Sequence, residues 1–174
     1  IQDDPQPVPV SGICHVAGAG KEIAGNCIFE AEIHRMTIDE INKACKNTFM
    51  DLLGIEFTSA TESSLEARMP ITPKLYQPME VVHGGALISL AESVGSAASF
   101  LLVDPEKFNV LGSVVNSQHI APARKGMLYA KAKLLVKGDF KHIWDVEIKD
   151  DSGKLISISR VTNSIKPRKP EAVR

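Results

Sequence analysis

The sequence predicts an α+β domain in which one long central helix is wrapped by a curved antiparallel sheet. Three observations lead there. From Gly84 to about Leu102 the residues keep helical periodicity yet are apolar round most of the circumference, so this helix belongs within a sheet rather than on a surface. Four strand-like runs follow Pro105 in succession, which suits antiparallel connections. The 174 residues, 44% hydrophobic and 24% charged, supply one core. They fall short of two domains of ordinary size, ~100–150 residues each.

Residues 1–36 contain Pro5, Pro7, Pro9, Gly12, Gly18, Gly20 and Gly25 with little periodicity and read as an N-terminal extension, either a loosely ordered or a packed arm. The domain proper spans 37–166. Thr37, followed three residues later by Glu40, is a capping-box pattern, and Ile38, Ile41, Ala44, Cys45, Phe49, Leu52 and Leu53 recur at helical spacing. This predicts a helix from about Ile38 to Leu53, stopped by Gly54. Alternation of Leu65, Ala67 and Met69 with Glu66 and Arg68 predicts strand within Ile55–Met69, and Pro70, Pro73 and Pro78 force a loop. His83-Gly84-Gly85 opens the long helix. Strands are then expected over about Asn109–Ile120, Met127–Lys137, His142–Lys149 and Lys154–Ile165, the last two joined by Asp150-Asp151-Ser152-Gly153. Residues 167–174 form a solvated tail.

Composition excludes several classes of function. With 20 basic and 21 acidic side chains the net charge of −1 creates no field to gather nucleic acid or an anionic bilayer. Ala86–Val103 is the longest apolar stretch and is interrupted by Ser89, Glu92, Ser93, Ser96 and Ser99, so no membrane span is expected. Cys14, Cys27 and Cys45 form neither a disulfide framework nor zinc-ligand spacing. The residues after Ile1 lack the basic-then-apolar order of a secretion signal, and a reducing, cytoplasmic setting is expected.

The long helix carries the chemistry. At ~100° per residue, Gly85, Ser89, Glu92, Ser96 and Ser99 fall within an arc of about 80°, opposite Leu87, Leu90, Ala91, Val94, Ala98 and Leu101. A carboxylate buried on so narrow a polar stripe would exchange protons nearer neutral pH; the alternative is an ion pair across an interface. Gly84 and Gly85 stand where a helix N-terminus presents free N–H groups to a developing oxyanion, or else form a tight junction. Glu92 lies eight residues past Gly84, ~12 Å of helix rise. If both act on one bond, a symmetric dimer must bring Glu92 of one subunit to Gly84 of the other.

These residues resemble the hotdog-fold acyl-CoA thioesterases, in the branch of 4-hydroxybenzoyl-CoA, phenylacetate-pathway and 1,4-dihydroxy-2-naphthoyl-CoA thioesterases. Gln77-Pro78-Met79-Glu80-Val81-Val82-His83-Gly84-Gly85, Leu90-Ala91-Glu92-Ser93 with Ser96, and Val115-Asn116-Ser117-Gln118-His119 carry the resemblance, which extends over about Leu52–Lys166 and includes Trp144. It implies that Glu92 attacks the thioester carbonyl or activates water, that the Gly84 N–H polarises the carbonyl, and that Gln77 and His83 orient carbonyl or water. Ser96 would hold the carboxylate or the water. Simpler readings stay open: Gln77 satisfying loop backbone, His83 capping the helix entrance, Ser96 bonding back to the Glu92 carbonyl. Gly85, Asn116 and His119 would line the site or contact CoA, with Arg124, Lys125 and Lys141 toward its phosphates. Phe140 and Ala121 stand where some members carry arginine.

The expected activity is hydrolysis of an acyl-CoA or aryl-CoA thioester by a homodimer, or a homotetramer built through sheet packing. CoA enters as part of the substrate, with no metal and no further cofactor. A non-catalytic acyl-CoA-binding module would need neither Glu92 nor Gly84. Hotdog dehydratases place a histidine in a His-x-Phe-Pro loop, whereas His83 abuts two glycines. A metal hydrolase is disfavoured because His83, His119 and His142 lie on separate elements.

Overall fold

A computed structural model describes residues 36–168. The expectations for residues 1–35 and for the tail beyond Arg168 lie outside the described residues. Thr37 caps the first helix, α1 (Ile38–Ala44), in the reciprocal manner its sequence predicts: the Thr37 hydroxyl accepts the Glu40 N–H, and the Glu40 carboxylate accepts the Thr37 N–H at 2.8 Å.

The continuous helix expected to Leu53 is instead two. Asn47 adopts φ 60° and Thr48 is extended, which breaks the helix before α2 (Phe49–Leu53) begins. Asp51 fastens the corner by accepting from the Asn47 N–H and the Lys46 ammonium. Gly54, left-handed at φ 70°, ends α2 as predicted. Likewise the run Ile55–Met69 is a hairpin, β1 (Glu56–Ala60) against β2 (Ser64–Pro70). Its turn contains neither glycine nor proline. The Thr61 hydroxyl organises it, accepting the Ser63 N–H and meeting the Ser64 hydroxyl at 2.8 Å.

Past a 3-10 turn at Pro73–Leu75 come the long helix α3 (Gly84–Phe100) and the strands β3 (Phe108–His119), β4 (Met127–Lys137), β5 (Lys141–Asp150) and β6 (Leu155–Pro167). Each lies within two residues of its predicted limits. β6 continues to Pro167, and the Arg168 N–H donates to the Lys107 carbonyl, so ordered pairing runs just past the predicted domain end.

The strands form one antiparallel sheet in the order β1-β2-β4-β5-β6-β3, and α3 contacts every strand from β2 to β6. Leu87, Leu90, Ala91, Val94 and Ala98 on α3 bury against Leu65, Met69, Leu128, Val146 and Val161 of the sheet. At ~25 cal/mol per Å² of apolar surface, this contact is the main reason the helix lies where it does. β3 occupies one edge and pairs only with β6 among the described residues, leaving Leu111, Val114 and Ile120 exposed. No helix of the described residues is long and apolar enough to cross a membrane.

Candidate active site

The site begins where α3 begins. His83 is its N-cap: the ring Nδ1 accepts the Gly85 N–H at 2.8 Å, and the His83 carbonyl accepts from Ala86 and, more weakly, from Leu87. The Gly84 N–H has no acceptor among the described residues. It stands at the positive end of a helix of 17 residues. The His119 ring of β3 packs over Gly84, where a Cβ would lie 2.7 Å from Nε2, so any side chain at this position would displace the ring. Ser157 donates to the Gln118 carbonyl and meets His119 Nδ1 at 3.1 Å.

Two turns on, Glu92 lies on the side of α3 turned away from the core. The burial expected for its carboxylate is not found in the protomer, where Glu92 is exposed. The apolar face packs on the sheet and leaves the polar stripe on the open side. There the carboxylate rests against Gly112: a Cβ on Gly112 would come within 2.5 Å of Glu92 Oε1. Gly112 opens a β-bulge in β3, with the register shifting before Val114 and the Ser113 hydroxyl donating to the Thr162 carbonyl. Sequence reading missed Gly112, although an isolated glycine within a strand signals a bulge or a close approach.

It also missed the other wall. An apolar cavity of about 580 Å³ runs beside Glu92, bounded by Ser89, Ser96 and Phe100 on α3 and by Ile41 on α1, Met50 on α2 and Cys45, the residue that caps α1. Burial, then the nearby Asp51 charge, raises the Cys45 thiol above its ordinary range, so it acts as an apolar wall atom.

The other site residues separate into those that meet and those that do not. Ser96 neither holds Glu92 nor bonds back to it: its hydroxyl donates to Asn163 Oδ1 at 3.0 Å. Asn163 donates in turn to the Gly95 carbonyl and the Ser99 hydroxyl, which also accepts from Trp144 Nε1 at 2.7 Å. Ser99, placed by periodicity on the polar stripe, is thus buried as an anchor to the sheet. Gln77 is half-buried and closes its own loop, its side-chain oxygen accepting the Met79 N–H. Asn116 and His119, three apart in an unbroken stretch of β3, point to opposite faces, and only His119 reaches Gly84.

Arg124 and Lys125 are exposed in a loop that packs on the approach to α3, where the Val82 N–H donates to Ala123 and the Tyr76 hydroxyl to Arg124. Lys141, also exposed, lies beyond the far end of β4, ~34 Å of strand away, so one protomer does not unite the three basic residues.

An N–H at a helix start, a carboxylate two turns on and an apolar cavity beside it suit attack on a carbonyl next to an apolar group. Comparisons with known proteins agree. The profile of the thioesterase superfamily matches residues 79–157. A Pseudomonas aeruginosa protein named as an esterase is 38% identical over 130 residues, covering 75% of this chain and 90% of its own length. Escherichia coli 1,4-dihydroxy-2-naphthoyl-CoA hydrolase is 34% identical over 131 residues, covering 75% of this chain and 96% of that enzyme. The crystal structure of a mutant thioesterase from Pseudomonas aeruginosa matches with a TM-score of 0.74 at 37% identity, over 76% of this chain and 96% of that one. Fold, motif positions and these likenesses agree that the chain is a thioester hydrolase with the hotdog arrangement and belongs to the thioesterase superfamily.

Proposed function

We propose that the protein hydrolyses an acyl-CoA or aryl-CoA thioester to the free acid and CoA, in a reducing cytoplasmic setting. Glu92 is the reacting carboxylate and the Gly84 N–H the oxyanion donor. The observation that carries this reading is the Gly84 N–H, the one first-turn donor of α3 without an acceptor among the described residues, held open while its neighbours are satisfied by His83. As the thioester carbonyl becomes tetrahedral its oxygen gains the charge that this donor and the helix dipole stabilise. Glu92 either attacks the carbonyl carbon, giving a mixed anhydride that water cleaves, or takes a proton from the attacking water. In both routes the C–S bond breaks, the sulfur leaves with a proton, and the acid is released. No cofactor beyond the substrate's own CoA enters these steps.

Glu92 and Gly84 are eight residues apart on one helix, ~12 Å of rise, so the pair that meets one carbonyl comes from two subunits. The free edge of β3 supports this. Its exposed Leu111 and Val114 lie beside the Gly112 bulge that touches Glu92, and two such edges pairing about a two-fold axis would bury both sites. Arg124 and Lys125, on the loop next to the start of α3, take the CoA phosphates at the Gly84 end, with His119 and Gly85 lining the approach. Lys141 would serve only from a neighbouring subunit.

The test is thiol release, followed with a thiol-reactive dye, across aryl-CoA and short-, medium- and long-chain acyl-CoA. Glu92→Ala should lower turnover about a thousandfold without changing the circular dichroism spectrum. Near-normal turnover in that variant removes Glu92 from the mechanism. Silence of the wild type with CoA binding intact would favour the acyl-CoA-binding module.

A further inference from the structure

We propose that the cavity beside Glu92 takes an unbranched alkyl chain, so that the substrate class is a medium-chain acyl thioester of about ten carbons; this rests on Glu92 being the reacting group. The length follows from the helix. The cavity follows one face of α3 from Glu92 to Phe100, eight residues or ~12 Å. An extended chain advances ~1.2 Å per bond, so about nine to ten bonds fill that run, whereas a single aromatic ring fills about half of it.

The lining gives the chemistry. Past Ser96 the walls are Ala97 and Phe100 on α3 and Ile41, Ala44, Cys45 and Met50 opposite. Met50 and Cys45 are soft and unbranched, and the two sulfurs lie 3.6 Å apart, a surface that adapts to methylene groups. Of the four hydroxyls that line the cavity three are already engaged: Ser89 donates to the Gly85 carbonyl, Ser96 to Asn163 and Thr48 to the Cys45 carbonyl, while the fourth, Ser93, stands next to Glu92 at the reacting end. A ring whose hydroxyl groups reached past Ser96 would bury them against apolar atoms, while an alkyl chain loses nothing there. The break at Asn47 and Thr48 that splits the predicted helix is what turns α2, and with it Met50, toward this wall.

The experiment compares kcat/KM for butanoyl-, decanoyl- and 1,4-dihydroxy-2-naphthoyl-CoA in the wild type, Ala97→Phe and Ala44→Trp, alongside calorimetric binding of decanoic acid to each. Ala44 is solvent-exposed, so its variant keeps the test valid if Ala97→Phe folds poorly. The wild type should prefer decanoyl-CoA over both others by about tenfold or more. In both variants the decanoyl-to-butanoyl ratio should fall by at least about tenfold, with decanoic acid binding weakened in parallel. A preference for the dihydroxynaphthoyl thioester, or a ratio and a decanoate affinity that neither variant alters, overturns the assignment while leaving hydrolysis intact. If the wild type cleaves none of the three yet binds decanoic acid in a way both variants weaken, the hydrolysis reading fails and the chain pocket stands.

Discussion

From Gly95 to Phe100, α3 is fixed to the sheet by buried hydrogen bonds, whereas from Gly84 to Glu92 its polar groups face outward and one backbone donor is left open. In the first stretch Asn163 joins Ser96, Ser99 and the Gly95 carbonyl, and Trp144 donates to the same Ser99. In the second, the His119 ring packs against Gly84 and the Glu92 carboxylate lies against Gly112. A reacting group gains from a fixed position but not from a satisfied one, since every partner it keeps must be given up to substrate. The helix divides these needs along its length, with rigidity at its C-terminal half and unmet donor and acceptor capacity toward its N-terminus.

Asn163→Ala should break the anchored half. It takes the partner from the half-buried Ser96 hydroxyl and, in the core, from a Ser99 lone pair and the second lone pair of the Gly95 carbonyl, a loss of about 3 kcal/mol. Thermal unfolding should show a Tm lower by about 6–12 °C. Activity at 25 °C should fall far less than stability does, because none of these groups touches the reacting atoms. A Tm within about a degree of wild type would show that α3 is held by apolar packing alone.

Gly112→Ala tests the other half. The added methyl would sit 2.5 Å from Glu92 Oε1, and the atom that must yield is the end of a flexible side chain. Stability should therefore change little, while kcat falls about ten- to a hundredfold with KM nearly constant, since the carboxylate is displaced from its seat. Combining it with Glu92→Asp, which shortens the acid by one methylene, should recover part of the loss relative to Gly112→Ala alone. Equal loss of kcat with and without that shortening would mean that Gly112 serves the strand and not the carboxylate.

The anchored half and the reactive half differed in how far they were legible in sequence. Periodicity placed α3 and four strands within two residues because each has one face that must be buried. His83, Gly84 and Glu92 could be located because their positions depend on one helix alone. Asn163 and Ser99 could not: a polar residue reads as exposed until its buried partner is known, and Ser99's partners lie 45 and 64 positions away. The split of the first predicted helix was hidden for a related reason, since Asn47, which adopts the left-handed conformation, interrupts neither the apolar pattern nor the charge pattern. Glu92's exposure follows from which face of α3 meets the sheet, and that is settled in three dimensions.

The smallest expected effect compares two buried side chains in register. His142 of β5 stands opposite Asn163 of β6, and both are nearly inaccessible. Asn163 uses its oxygen and both amide hydrogens, whereas His142 Nδ1 has no partner among the described residues. Burial, and secondarily the Lys137 charge, hold the His142 pKa below its ordinary value. The unfolded chain thus takes up a proton near pH ~6.5 that the folded chain resists, so stability falls as pH drops below that value and is unaffected above it. His142→Leu removes both the orphaned nitrogen and the proton linkage. At pH 7.5 the variant should lie within about 1 kcal/mol of wild type in urea unfolding, and between pH 6.5 and 5 it should lose less stability than wild type does. The paired carboxylates Asp104 and Glu147, whose pKa values are lowered by Lys107 and Lys149, lose their contribution only at more acidic pH, as their carboxyl groups protonate. Parallel pH profiles for variant and wild type across that interval would show that the folded protein admits a proton at His142, and that this position is as well satisfied as its neighbour Asn163.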